Sequence, residues 1–301
     1  MNKWIKRSLL SLAGVAALSV AGLATGAWLG DRKAQRQVMV TVTPVAIPAD
    51  TASLERGRYL YSTRGCTECH GANGAGRAFI NDGKGMFAKA PNISTGPGNV
   101  VAKYQPEDWV RTIRHGVKPD GRPLFIMPSE DYNRLTDADL GALVAYVKQL
   151  APISGAGLVV EVPMLVKTLY AAGVIRDAAE KIDHTLPPAQ PVATSVSPQH
   201  GAYVANMCIG CHGARLSGGK IPGGPPDWPA AANLTPGDGS AMARYANADQ
   251  FVAMLRSGKR PDGGAVSAVM PFESLRELSD TDAQALYLHL KSLPPVAAGM
   301  R

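Results

Sequence analysis

The pentapeptide Cys66-Thr67-Glu68-Cys69-His70 returns 142 residues later as Cys208-Ile209-Gly210-Cys211-His212. A chain carrying two such motifs must fold around them, because C-x-x-C-H is a haem-attachment sequence. Two cysteines three apart lie on one helical turn, so both thiols reach the two vinyl groups of one porphyrin and the next residue, the histidine, faces the iron. A zinc ribbon sets its cysteine pairs roughly 15 to 20 residues apart, which argues against one shared zinc site. A thioredoxin-type pair needs no trailing histidine, and no βαβ pattern surrounds either copy. Two covalently bound haem c groups then use all four cysteines of the chain, and no disulfide framework remains to support the fold.

The spacing of the motifs divides the 301 residues into two domains of about one hundred residues each, plus extra segments. Of the net charge of +7, +4 falls within residues 1–51. A basic stripe interleaved with aromatic residues, which nucleic-acid binding needs, is absent. Lys3, Lys6 and Arg7 precede a stretch from Leu9 to Gly30 without a charge, closed by Asp31, Arg32 and Lys33. That stretch is long enough to span a bilayer as a helix. Ala24-Thr25-Gly26 also resembles a signal-processing site. The length of the run and the interfacial Trp28 favour an uncleaved anchor with its basic flank in the cytoplasm. Either reading exports the rest. Residues 1–30 are thus a transmembrane helix or signal-anchor, and 31–51 a tether.

The two motif-bearing segments, 52–152 and 199–301, repeat each other. Gly116 corresponds to Gly258, Pro119-Asp120-Gly121 to Pro261-Asp262-Gly263, Met127-Pro128 to Met270-Pro271, and Leu135-Thr136-Asp137 to Leu278-Ser279-Asp280. Asn92-Ile93-Ser94 and Asn233-Leu234-Thr235 also match; they read as loop structure beside the haem rather than as glycosylation sites. Pro106 opens a helix that Gly116 ends, and its counterpart runs from Asn247 to Gly258. Thr136-x-x-Asp139 and Ser279-x-x-Asp282 are capping boxes for the last helix of each segment, stopped by Pro152 and Pro294. No alternating pattern competes, so the fold class is all-α.

A second axial ligand has several candidates: Met86, Met127 and His115 in the first segment, and Met242, Met254, His289 and Met270 in the second. Only Met127 and Met270 correspond. Each follows a Pro-Asp-Gly turn and precedes a proline, so each lies in a loop of fixed backbone that can lean over the haem face opposite His70 or His212. The unmatched His115 and His289 read as ordinary surface or core residues. Residues 153–198 form a linker. Within it Glu161 to Asp183 has an amphipathic helical pattern, with Val174, Ile175, Ala178, Ala179 and Ile182 on one side and Arg176, Asp177, Glu180 and Lys181 on the other. Pro187 to Pro198 reads as a stiff connector.

On these residues both segments resemble class I cytochrome c domains, and the phrases His115-Gly-Val-Lys-Pro-Asp-Gly-Arg-Pro123 and Leu135-Thr-Asp-Ala-Asp-Leu140 are similar to the cytochrome c subunits of membrane-bound alcohol and aldehyde dehydrogenases. Those subunits usually carry three haem motifs and this chain carries two. The resemblance implies haem attachment outside the cytoplasm, with the domains in a bacterial periplasm and the anchor in the inner membrane. The leading expectation is a membrane-tethered dihaem cytochrome that relays electrons without catalysis, from a dehydrogenase or a quinol-oxidising complex to an oxidase or soluble cytochrome. His/Met ligation fits, because the thioether favours Fe(II) and filling both axial positions leaves no site for peroxide. The alternatives are a dihaem peroxidase, which needs one iron that opens a position, and a haem subunit of a dehydrogenase complex.

Overall fold

The computed structural model describes residues 3–154, 157–225 and 227–300. Outside these lie the extreme ends of the 1–30 and 199–301 segments, residue 226 within the latter, and two residues of the 153–198 linker. A long helix, α1 (Lys3–Ala34), opens the chain. It is the one described helix long and apolar enough to cross a membrane, and it continues four residues beyond the expected end at Gly30.

The first repeat comprises α2 (Thr51–Thr63), α3 (Cys66–His70), α4 (Pro106–His115), α5 (Ser129–Tyr132) and α6 (Asp137–Lys148). Asp50, within the expected tether of residues 31–51, caps α2 through the Ser53 amide. Pro106 sits in the first turn of α4, and Gly116 ends it with φ 65°, a left-handed conformation cheap only for glycine. α2 crosses α6 at Gly57, where a Cβ would collide with the Ala142 carbonyl. Leu60, Leu140, Val144, Trp109 and Ile113 are among the side chains that close the core around this crossing. Each fully buried aliphatic contributes about 1.5–3 kcal/mol.

The second repeat reproduces this with α9 (Pro198–Ala205), α10 (Ile209–His212), α11 (Ala248–Ser257), α12 (Phe272–Leu275) and α13 (Asp280–Ser292), in chain order after two linker helices, α7 (Met164–Ala171) and α8 (Ala178–Lys181). Gly201 marks the crossing of α9 with α13, against the Ala285 carbonyl. Pro198, expected to end a stiff connector, is instead the first residue of α9, with Ser197 as its cap.

Two expectations are corrected. The class is mostly helical rather than all-α: β1 (Ala78–Asn81), β2 (Phe87–Lys89) and β3 (Val159–Glu161) form an antiparallel sheet in the order β1-β2-β3. These strands are three or four residues long, too short for period-two alternation to register. The linker's single amphipathic helix is also two short ones. Gly173 takes φ 76° between them, and Asp177, expected on a solvent face, is buried. It caps α8 and pairs with Arg36.

Candidate functional site

The first C-x-x-C-H motif is one short helix, while in the second Cys208 ends a 3-10 turn (Asn206–Cys208) that runs straight into α10; each is closed by a glycine of positive φ, Gly71 (φ 72°) or Gly213 (φ 79°). His70 Nδ1 lies 3.0 Å from the Pro91 carbonyl and His212 Nδ1 2.8 Å from the Ala232 carbonyl. A ring that donates through Nδ1 keeps its Nε2 lone pair for a metal. Burial pushes the His70 pKa down, against the Pro91 hydrogen bond that raises it, so this imidazole is neutral. Cys66, Cys69 and Cys208 are thiols rather than disulfides. Burial pushes Cys66 and Cys208 up to about 12 and Cys69 up to about 11. A dithiol redox centre depends on a lowered pKa, which none of these three thiols has. Free cysteines one turn apart beside a histidine with a pinned ring fit a covalently attached haem.

The loops that carry the paired methionines share their geometry. Pro128 has φ −81° and ψ 64°, and Pro271 φ −78° and ψ 67°. The amide two residues on donates to the methionine carbonyl, Ser129 to Met127 at 2.9 Å and Phe272 to Met270 at 2.8 Å. These are inverse γ-turns centred on proline, and each fixes the backbone on the C-terminal side of its methionine. Met127 packs against the same core as Cys66, and Met270 against the same core as Cys208. Met242 and Met254 are buried core residues, and Met86 lies between β1 and β2. His115 is buried, with Nδ1 3.0 Å from His184 Nδ1; burial and then His184 push it down to about 4. His289 is half-buried and its pKa is lowered by burial.

Asn92 and Asn233 are buried and hold their loops to the segment beyond the last helix, donating to the Ile153 and Val296 carbonyls at 2.9 Å each. Their side chains are engaged as loop structure.

Sequence reasoning missed the contacts that join the repeats around these turns. Tyr59 on α2 donates to Asp282 on α13 at 2.8 Å, while Tyr203 on α9 donates to Asp139 on α6 at 2.6 Å. The same hydroxyls accept from the Ser279 and Thr136 amides. Each capping hydroxyl works as expected, on the amides of Asp139 and Asp282. The carboxylate of each box is diverted: Asp139 pairs with Arg56, and Asp282 with His200 at 2.7 Å. Closer to the motifs, Glu68 accepts from Ser274 on α12, and Asp131 on α5 accepts from the Gly210 amide at 2.8 Å. Each haem-attachment turn therefore touches the helix that follows the other repeat's paired methionine.

The family model described as Cytochrome c matches residues 54–151 and 200–294. Over 285 residues the chain is 27% identical to the fructose dehydrogenase cytochrome subunit of Gluconobacter japonicus, covering 84% of this chain and 55% of that one. It is 26% identical over 280 residues to the cytochrome c subunit of an alcohol dehydrogenase (quinone) of Gluconobacter oxydans, covering 83% and 57%. The gluconate 2-dehydrogenase cytochrome c subunit of Pantoea cypripedii is 26% identical over 274 residues, covering 81% and 60%. The chain thus spans a little over half the length of these relatives.

Proposed function

The chain belongs to the cytochrome c family, and on that premise we propose that it is a membrane-tethered dihaem electron relay. Residues 52–152 and 199–301 are tandem class I domains joined by the linker at 153–198. Haem, when bound, supplies a one-electron couple at its iron. Cys66 and Cys69 tether one group and Cys208 and Cys211 the other. His70 with Met127 would hold one iron, and His212 with Met270 the other. The Pro91 and Ala232 carbonyls orient the two imidazoles, and the proline turns position the two thioethers. With each iron held from both sides, peroxide would find no open site, and the chain would transfer electrons without catalysing a reaction of its own.

The observation that carries this reading is the recurrence, in both repeats, of a ring-pinned histidine with a methionine locked by an inverse γ-turn. Replacing Met270 with alanine in the holoprotein is expected to make that haem high-spin, lower its potential and leave the other haem's spectrum unchanged, and Met127→Ala to do the converse. Rapid peroxide turnover by the wild type, or unchanged spectra in both variants, would overturn it.

The relatives' names support a dehydrogenase as the electron donor, either as a complex in which this chain is the haem subunit or as a separate partner, with an oxidase or soluble cytochrome as acceptor. Co-purification of a flavin- or quinone-containing subunit with the tagged chain tests the first arrangement. Residues 1–30 act as an inner-membrane anchor with the domains in the periplasm. Its support is the length and apolar character of α1, the one described helix able to cross a membrane. N-terminal sequencing of the mature protein, expected to return an uncleaved start, tests it.

A further inference from the structure

The linker does not simply bridge the repeats. Thr168 Oγ1 on α7 donates to the Leu23 carbonyl of α1 at 3.3 Å. Gly26 and Gly30 let the helices touch, since a Cβ on either would collide with Thr168 or Lys167. Lys167 pairs with Asp31 at 2.8 Å, Lys33 donates to the Tyr170 carbonyl at 2.9 Å, and Arg36 is bonded to Asp177. Small residues at the crossing and a polar pair at each level hold α7 to α1 as one unit. At 1.5 Å per residue, Leu23 lies roughly 12 Å along the helix from Asp31, the first charge after the apolar run. α7 is therefore held level with the last turns of the segment that enters the bilayer.

Three sides of α7 meet three surroundings. Lys167 and Thr168 face α1. Tyr170 is buried against Phe125 of the first repeat, with ring centroids 5.0 Å apart. Leu165, about 140° round the helix from Tyr170, is 58% exposed, and its neighbour Met164 49%. Leu158 before the helix and Val174 after it are exposed too. The flanking segments carry exposed Lys84 and Arg176 together with exposed Asp82 and Glu161, so no net charge adjoins this face. A helix with exposed apolar side chains at the level of a membrane-entering segment can lie in the headgroup region, its apolar side reaching about 5–10 Å towards the acyl chains.

We propose that α7 is a membrane-surface helix, seated by Leu165 and Met164 in the headgroup boundary of the bilayer that α1 spans, so that the first haem domain is held in a fixed orientation on the lipid rather than swinging on a tether. The occupant is lipid rather than protein because the face lies beside exposed Trp28 and Leu29 of α1, at the depth where that helix enters the bilayer. The inference rests on the anchor reading above.

The test uses the full-length holoprotein in nanodiscs containing phosphatidylglycerol. Its four native cysteines are consumed as thioethers, so Leu165→Cys, Leu18→Cys and Met39→Cys each accept one spin label. Collision rates with oxygen, which partitions into lipid, and with a nickel chelate, which stays in water, are then compared. Leu165 is expected to resemble Leu18, with oxygen collisions exceeding nickel collisions severalfold, while Met39 shows the reverse. A label at Leu165 that behaves like Met39 while Leu18 remains in lipid overturns the proposal and leaves the anchor intact. One shielded from both reagents overturns it in favour of a protein contact. If Leu18 itself is open to nickel, the anchor reading fails and takes this inference with it.

Discussion

Tyr61 and Tyr146 fill the end of the first repeat beside its haem-attachment turn, with ring centroids 5.4 Å apart and the Tyr61 hydroxyl donating to the Gly71 carbonyl at 2.6 Å. At the matching places the second repeat has Ala205 and His289. A cleft of about 490 Å³ opens there, lined among others by Ala214, Arg215, Thr235 and His289. The helical frame, the pinned histidines and the proline turns are common to both repeats, so the frame is set by what the cofactor needs. The filling around it is free to differ. On the dihaem reading proposed above, a functional difference between the two sites lies in the side chains beside the C-x-x-C-H turns.

The largest effect is expected from opening the first repeat to match the second. Tyr61→Ala removes a side chain that is 1% exposed, and is expected to cost about 3–5 kcal/mol in denaturant unfolding of the holoprotein. A loss below about 1 kcal/mol would show that the ring is not part of that core.

Asp282 and Asp139 offer the next contrast. Burial raises the Asp282 pKa, but the hydrogen bond from His200, then Arg64 and Tyr59, more than reverse this and leave it below the usual carboxylate range. For Asp139 burial is likewise outweighed, by Arg56 and then Tyr203. Both carboxylates therefore stabilise the fold above their ordinary pKa of about 4, and that contribution is lost as pH falls further. Asp282→Asn also leaves Arg64, itself 6% exposed, without its counter-charge and is expected to cost about 3 kcal/mol. Asp139→Asn, whose partner Arg56 reaches water, is expected to cost about 1 kcal/mol. Thermal melts at pH 7 and pH 3 check both: each variant should lose less than the wild type on acidification.

Gly57→Ala and Gly201→Ala sharpen the comparison by their expected equality. Each forces a Cβ into a facing carbonyl, and each is expected to cost about 2–3 kcal/mol. Unequal costs would mean that the two crossings are not equivalent. The smallest effect concerns Leu216, which adopts φ 56° where the first repeat has Gly74. Leu216→Gly relieves about 1 kcal/mol of backbone strain but loses a buried side chain, so the melting temperature is expected to shift by only a few degrees.

What the sequence made legible is what repeats locally. The C-x-x-C-H turns, the Pro106 and Asn247 helix starts, the Gly116 and Gly258 stops and the Thr136 and Ser279 caps are each decided by a few consecutive residues. The fates of Asp139 and Asp282 were not legible, because a local rule assigns them to their own helix ends and partners more than sixty residues away claim them. Asp177 misled for the same reason: its charge suggested solvent until Arg36, far back in the chain, supplied a buried partner. The three strands escaped because hydrogen bonding between β2 and β3 joins segments some seventy residues apart.

The reciprocal Tyr59–Asp282 and Tyr203–Asp139 contacts have a consequence for assembly. A surface in which one patch meets its own duplicate is the isologous contact of a twofold homodimer, here written into a single polypeptide. The linker keeps the two patches at an effective concentration of about the millimolar range, whatever the concentration of the protein. Dilution cannot separate them. A fragment consisting of one repeat alone would present that self-complementary patch to a second copy of itself.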